Sequence, residues 1–313
     1  MGQTPREAEV GQTMLSCAVV AVMAISAAVG VAFATPNAVP GKQTGTASQC
    51  RPAGPLLRIP ELPEGSGLAV SARVPGRLWS HNDSGDAVLV ALDERGSVTG
   101  RVRLTGATVE DWEAIAVGPC GAGSCIHVAD IGDNDAKRKR VTIYRLPEPA
   151  GTNESAAVSD VFHATYPDGP HDAESLLITS DGRLHIVTKG ETGPIAVYRF
   201  PRELRSGGSV QLERIGEAGS KEAGKASRIT DGAVSPDGQW TALRTGSSLV
   251  FYRTAELLAG QWREASRVDL AVLNEPQGEG VALGANSAVF VAGEGGGKGQ
   301  PGTFARFTCA PKG

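Results

Sequence analysis

Aromatic residues make up only 5% of this 313-residue chain, histidine occurs 5 times, and no long amphipathic helical pattern is present. Without a sustained 3.6-residue apolar period, helical-bundle classes are set aside. The formal charge is only −4, from 30 basic and 34 acidic residues, so no broad basic surface invites nucleic acid. Catalytic signatures are missing too. There is no Gly-x-Ser-x-Gly elbow, His-Glu-x-x-His helix, P-loop or dinucleotide-binding strand–turn–helix fingerprint, and the reaction classes built on them lose their support.

What the chain has in quantity is glycine, 41 residues, and short apolar segments separated by turn residues. That composition suits many short strands. The segments also repeat. Asp111-Trp112-Glu113-Ala114-Ile115-Ala116-Val117 has weaker copies at Glu64 to Val70, Asp172 to Leu177, Thr230 to Val234 and Gly278 to Ala282. Aligned, they place Ser66, Glu113, Glu174, Asp231 and Glu279 in one column. Each copy is followed by a second apolar segment, at Arg77 to Ser80, Cys125 to Val128, Arg183 to Ile186, Gln239 to Ala242 and Ala288 to Val291. A third follows, where Ile143-Tyr144-Arg145, Val197-Tyr198-Arg199 and Phe251-Tyr252-Arg253 repeat almost letter for letter. Self-similarity at tens of residues in a strand-rich chain predicts a radial repeat, here a five-bladed β-propeller with four-stranded blades, six being the alternative if the long span between Glu113 and Glu174 holds an extra blade.

Outer fourth strands are predicted at Gly100 to Leu104, Val161 to Thr165, Val210 to Ile215 and Arg267 to Val272. The last repeat ends with only three. Leu56 to Ile59, ahead of the first repeat, is expected to supply the missing strand and so close the ring without an open edge. Ser235-Pro236-Asp237-Gly238 and Ser180-Asp181-Gly182 carry the residues that tight turns need. Ala255 to Gln261 offers one helical turn. Alternation along the third strands puts each Tyr and its following Arg on opposite faces, a structural pattern and not a ligand-stacking series.

Leu15 to Ala34 is an almost unbroken apolar run ending in Ala32-Phe33-Ala34, the small-x-small form of a signal-peptidase site. Export follows, with residues 1–34 as a cleaved signal or, since the run nears the roughly 20 residues that span a bilayer, a retained anchor. Residues 35–49 form a Pro/Gly/Thr/Ser-rich linker and the propeller occupies 50–313. Cys17 lies before the apolar core and does not mark a lipobox. The other four cysteines are an even set in an exported chain, which favours disulfides over metal ligation. Three pairings exist; Cys120 with Cys125 across a short loop, and Cys50 with Cys309 joining the two ends, suit a propeller.

Blades built on an acidic residue before Gly/Ala-apolar-Ala, with Ser-Pro-Asp-Gly turns, resemble the secreted bacterial propellers of the TolB and regucalcin/gluconolactonase type. His81-Asn82-Asp83-Ser84-Gly85-Asp86, Asp111-Trp112-Glu113, Asp130-Ile131-Gly132-Asp133-Asn134 and Tyr144-Arg145 together are similar to a group of exported proteins of high-GC bacteria. The column and His171-Asp172-Ala173-Glu174-Ser175 also resemble, more weakly, the calcium-activated nucleotidases (apyrases), five-bladed propellers with a calcium ion in the central tunnel. That second resemblance implies an axial calcium site.

Residues at the starts of inner strands converge on the propeller axis. Four carboxylates there repel one another unless protonated or neutralised. All-oxygen donors favour Ca²⁺, held by some of Glu113, Glu174, Asp231 and Glu279, with Ser66 completing the shell. The competing solution is an ion-free network in which Lys189 and Arg244 neutralise the same carboxylates. His81 and His171 align with the mouth of the channel and are the candidate proton shuttles; His127 and His185 fall within second strands and are expected to pack. Asn82, Asp83, Trp112, Asp130, Lys189 and Arg244 are candidate ligand contacts there, Trp112 as a pocket wall or a gap filler, and Arg140 could also hold an anion. Two functions stay open: a monomeric extracellular binding domain for a small molecule or cell-envelope partner, and a calcium-dependent hydrolase of phosphoesters or lactones.

Overall fold

The structure is a computed structural model that describes residues 49–219 and 223–311. The predicted signal or anchor at 1–34 and nearly all of the predicted linker lie outside the described residues. Among the described residues no helix is long and apolar enough to cross a membrane.

Strands dominate from Gln49 to Ala310, and the one α-helix among the described residues, Thr254–Leu257, overlaps the stretch expected to hold a helical turn. The strands form five sheets. In each, an inner, a second and a third strand pair antiparallel as a meander. The inner strands are Gly65–Val70, Trp112–Cys120, Ala173–Ile178, Ile229–Val234 and Gln277–Leu283 for blades 1 to 5. Each lies beside the inner strand of the next blade, and the fifth returns to the first, so the ring closes. The chain is a five-bladed β-propeller.

Closure follows the expected route. Leu57–Ile59 pairs antiparallel with the third strand of blade 5, Gly302–Ala310, matching Leu57 to Phe304 and Ile59 to Gly302. Farther along that strand Gln49–Pro52 pairs too, bringing Cys50 opposite Cys309. Those cysteines are joined, as are Cys120 and Cys125.

One expected outer strand is corrected. Val210 to Ile215 is divided: Ser209–Gln211 pairs parallel with Asp160–Thr165 of blade 2, while Glu213–Ala218 forms the outer strand of blade 3. Blade 1 is extended in the same way by Glu154–Ala157, parallel to Val98–Thr105. Both additions occupy main-chain donors and acceptors on outer edges that would otherwise be open to another chain.

Apolar side chains fill the spaces between blades, in five clusters for five interfaces. Between blades 2 and 3, Ile131, Ile143 and Phe162 face Leu176, Ile186 and Tyr198. The Tyr-Arg pairs divide by face as alternation requires. Tyr144 and Tyr198 are buried, whereas Arg145 reaches Asp160 at 2.9 Å and Arg199 reaches Glu213 at 2.6 Å on the outer strands. His127 and His185 are buried, and desolvation holds both imidazoles down at about 4.

Inner strands approach one another closely enough to require small residues after the column positions. A Cβ on Gly67 would lie 2.6 Å from the Ile115 nitrogen, and one on Gly280 would lie 2.6 Å from the Ser66 carbonyl oxygen. This is why the repeat reads acidic-then-small.

At the opposite end of blades 1 and 2 a buried carboxylate ties the ring together. Glu148 Oε1 accepts from Trp79 Nε1 at 2.9 Å and from the Ser71 hydroxyl, and Oε2 accepts from Ser124 Oγ at 2.5 Å and the Arg73 amide at 3.1 Å. Both oxygens are acceptors of donors, so an amide cannot serve all four. Glu148→Gln is expected to cost about 2 kcal/mol of stability, read from urea denaturation. An unchanged midpoint would mean that the carboxylate does not clamp the two blades.

Candidate functional site

The column residues reach the axis through a local irregularity that recurs in every blade. Pairing between inner and second strands skips between Gly65 and Leu68, Trp112 and Ala114, Ala173 and Ser175, Ile229 and Asp231, and Gly278 and Val281. Ser66, Glu113, Glu174 and Glu279 fall inside the skipped intervals, and Asp231 sits at the edge of its own. A bulge re-aims a side chain that regular alternation would commit to the sheet face. Here it sends the acidic groups toward the centre of the ring.

The structure brings together Glu113, Asp172 and Glu174, whose carboxylate oxygens lie within 4.8 Å of one another. Their residues are 8%, 1% and 2% exposed. Ser66 Oγ lies 3.1 Å from Glu113 Oε2 and also donates to the Glu113 carbonyl. Lys189, just past the second strand of blade 3, places Nζ 2.6 Å from Glu174 Oε1 and 3.2 Å from Asp172 Oδ2. Burial pushes the Glu113 carboxyl well above the usual carboxylate range, and Glu174 and Asp111 add to it. Glu174 is raised as well, by burial and by Glu279 and Asp172, although Lys189 opposes the shift. Burial disfavours the Lys189 ammonium, but Glu174 and Asp172 outweigh it and its pKa is raised. One ammonium therefore faces three buried carboxylates.

The other column members have separate tasks. Asp231 accepts from the Gly232 and Val281 amides at 2.7 and 2.8 Å, so it bridges blades 4 and 5; burial still raises its pKa. Burial lifts Glu279 to about 7, and burial with Glu279 nearby lifts Glu294 to about 7.

The donor set fits a hard cation. It contains three carboxylates and a nearby hydroxyl, with no thiol or imidazole, which is calcium-like and not zinc-like chemistry. Gly132 keeps one wall free of side chain: a Cβ there would stand 2.6 Å from Glu113 Oε1 and 2.3 Å from Asp111 Oδ2.

Several candidate contacts have partners of their own. Trp112 is fully buried, packs with Tyr144 in the interface of blades 1 and 2, and donates Nε1 to the Thr108 carbonyl at 2.9 Å; it fills a gap and walls no pocket. Arg244, expected to neutralise the column, pairs with Glu275 at 2.5 Å and donates to the carbonyls of Gly280 and Ala292, while its charge also opposes the upward shifts of Glu279 and Asp231. It fastens blade 4 to blade 5. Asp130 accepts from the Glu110 and Asp111 amides and pairs with Arg138 at 2.7 Å. Asn82 accepts from the Glu64 amide at 3.2 Å, Asp83 has its pKa raised by burial and by Glu64, and Arg140 is exposed.

The two candidate shuttles differ. His81 is fully buried with its ring edge-on to Trp112, and desolvation holds its pKa down at about 4. His171 is partly exposed, with Nε2 3.0 Å from Asp168 Oδ1 and 2.9 Å from the Tyr198 hydroxyl. Its neighbour Asp172 enters the acidic cluster. Asp172 and Glu275 were not singled out by sequence. Asp172 had a signal, because Asp111-x-Glu113 and Asp172-x-Glu174 share a spacing that puts both acids on one side of an extended strand.

At the other end of the inner strands the axis widens into a funnel of about 910 Å³, lined by Val70, Val117, Ile178, Val234 and Leu283 among others. The channel is thus acidic at one end and apolar at the other.

No protein-family model matches this chain, and no curated protein matches it. Among solved structures it is similar to the PQQ-bound aldose sugar dehydrogenase of Streptomyces coelicolor, at 12% identity over 84% of this chain and 98% of that one, with a TM-score of 0.51. It also aligns with a gluconolactonase of Xanthomonas campestris, at 12% identity over 84% and 97% of the chains (TM-score 0.41). A virginiamycin B lyase of Staphylococcus aureus aligns at 9% identity over 78% and 81% (TM-score 0.40). The likeness is one of β-propeller fold, in keeping with the resemblance to TolB and regucalcin-type propellers; folds of this kind host many chemistries.

Proposed function

We propose that this protein is an extracytoplasmic binding domain whose ring is locked by one Ca²⁺ held by Glu113, Asp172 and Glu174, with Ser66 at the edge of the shell. The observation that carries this reading is the meeting of three buried carboxylates within 4.8 Å against a single ammonium. A dipositive ion offsets the repulsion that protonation would otherwise have to relieve. Enclosure by side chains so little exposed favours a structural ion over a catalytic one, since catalytic metals keep a position open to substrate. Two disulfides support an oxidising compartment. The partner is a small molecule or a cell-envelope component, bound by the monomer.

The test is metal analysis of the purified full chain, with thermal melts in EDTA and in added Ca²⁺. About one calcium per chain and a midpoint that rises with free Ca²⁺, as linkage requires, are expected. Absence of calcium with superimposable melts would leave the cluster to Lys189 and to protonation and end the proposal.

The hydrolase reading keeps one specific support. His171 is partly exposed, oriented by Asp168 and adjacent to Asp172, an arrangement suited to proton transfer. Under that reading nucleotides, lactones or esters are turned over in a calcium-dependent way, and His171→Ala removes the activity.

A further inference from the structure

The funnel at the end of the axis remote from Glu113, Asp172 and Glu174 has the make-up of a ligand site. Its volume of about 910 Å³ is within the range of about 300 to 1,000 Å³ common for small-molecule pockets. Val117, Ile178, Val234 and Leu283 give it apolar walls from four different inner strands. The polar groups of its rim are largely committed. Ser71 and Ser124 donate to Glu148, Thr179 donates to Asp181, and Ser235 donates to Asp237 at 2.5 Å.

One lining residue carries a charge, and that is Arg73. Its side chain is exposed at the mouth, with one nitrogen donating to the Glu148 carbonyl at 2.7 Å. Among the described residues its guanidinium makes no ion pair, and the donor it uses goes to a main-chain carbonyl. An apolar cavity with a single unpaired cation at its entrance is complementary to an amphiphile with a single negative charge. A guanidinium also suits a carboxylate in particular, through paired N–H donors.

We propose that the funnel binds a free long-chain carboxylate, with the alkyl chain along the axis among the inner-strand side chains and the head group on Arg73. The site is separate from the acidic cluster and does not depend on its cation.

Isothermal titration of the purified full chain with dodecanoate, and with dodecanol as the uncharged comparison, tests this. One dodecanoate per chain is expected, bound about tenfold more tightly than dodecanol, a preference set by the charge-assisted contact. Arg73→Gln removes that preference, and Arg73→Lys retains part of it. Ala122→Glu, at an exposed rim position that leaves the fold untouched, weakens dodecanoate and leaves dodecanol unchanged. Equal affinity for acid and alcohol in the parent protein would overturn the proposal, as would an Arg73→Gln protein that binds dodecanoate as before. So would binding only to anionic vesicles, or concentration-dependent self-association that buries the funnel instead.

Discussion

Replacing Cys50 and Cys309 together by alanine is expected to lower the stability of the propeller by about 5 kcal/mol, whereas replacing Cys120 and Cys125 costs about 2 kcal/mol. The contrast rests on loop length. The first bond joins residues 259 apart in sequence and the second joins residues 5 apart. In the chain-entropy account, the longer loop removes more freedom from the unfolded chain. The long bond also sits where the ring is joined. Cys50 and Cys309 face each other on adjacent strands of blade 5, beside the pairing of Leu57–Ile59 that completes that blade. Without the cross-link the terminal strands must find the last blade by diffusion of an open chain. Urea denaturation of the two double variants decides the matter. Equal losses, or a larger loss for the short loop, would show that closure does not depend on the bond.

Lys189→Met is expected to destabilise the calcium-free protein by about 3 to 5 kcal/mol, the range for stripping one partner from a buried ion pair. Its ammonium touches both Glu174 and Asp172, and no second ammonium or guanidinium is paired with either carboxylate among the described residues. Methionine keeps the length of the side chain and removes the charge. Saturating Ca²⁺ then restores most of the lost stability, and the variant binds Ca²⁺ more tightly than the parent because the site carries one more net negative charge. Melts and calcium titrations of parent and variant measure both effects. If calcium fails to rescue the variant, the cluster is an ion-free network held by Lys189. If the variant is as stable as the parent without calcium, the carboxylates are neutralised by protonation and the ammonium is incidental.

Much of this architecture was legible because a propeller repeats one solution. Each inner strand carries an acidic or hydroxyl residue followed by a small one, and the third strands of blades 2 to 5 carry an aromatic, so Glu113-Ala114, Asp231-Gly232 and Tyr198-Arg199 recur in register. The shortage of a strand in the last repeat foretold Leu57–Ile59, and the even cysteine set foretold both disulfides. The candidate site was legible only in part. Glu113 and Glu174 meet as the column implied, yet Asp172 joins them while Asp231 turns to the amides of Gly232 and Val281. Trp112 directly precedes the column position of its repeat but is drawn into the interface of blades 1 and 2, where burying its ring outweighs exposure at a mouth. Arg244 aligns with Thr188, one position before Lys189, and Glu275, which lies in a connection before blade 5, captures its guanidinium.

The sequence by itself pointed to a propeller, to the meander of inner, second and third strands in each repeat and to closure by the strand before the first repeat, because these depend on spacing along the chain; the outer edges and the choice among three cysteine pairings were fixed by the fold. The tertiary structure alone decided which carboxylates share a cation, which cations find other partners, and that the axis ends in an apolar funnel with Arg73 at its rim. Those outcomes depend on one-residue bulges that re-aim side chains and on contacts between different blades, for which no local pattern is written.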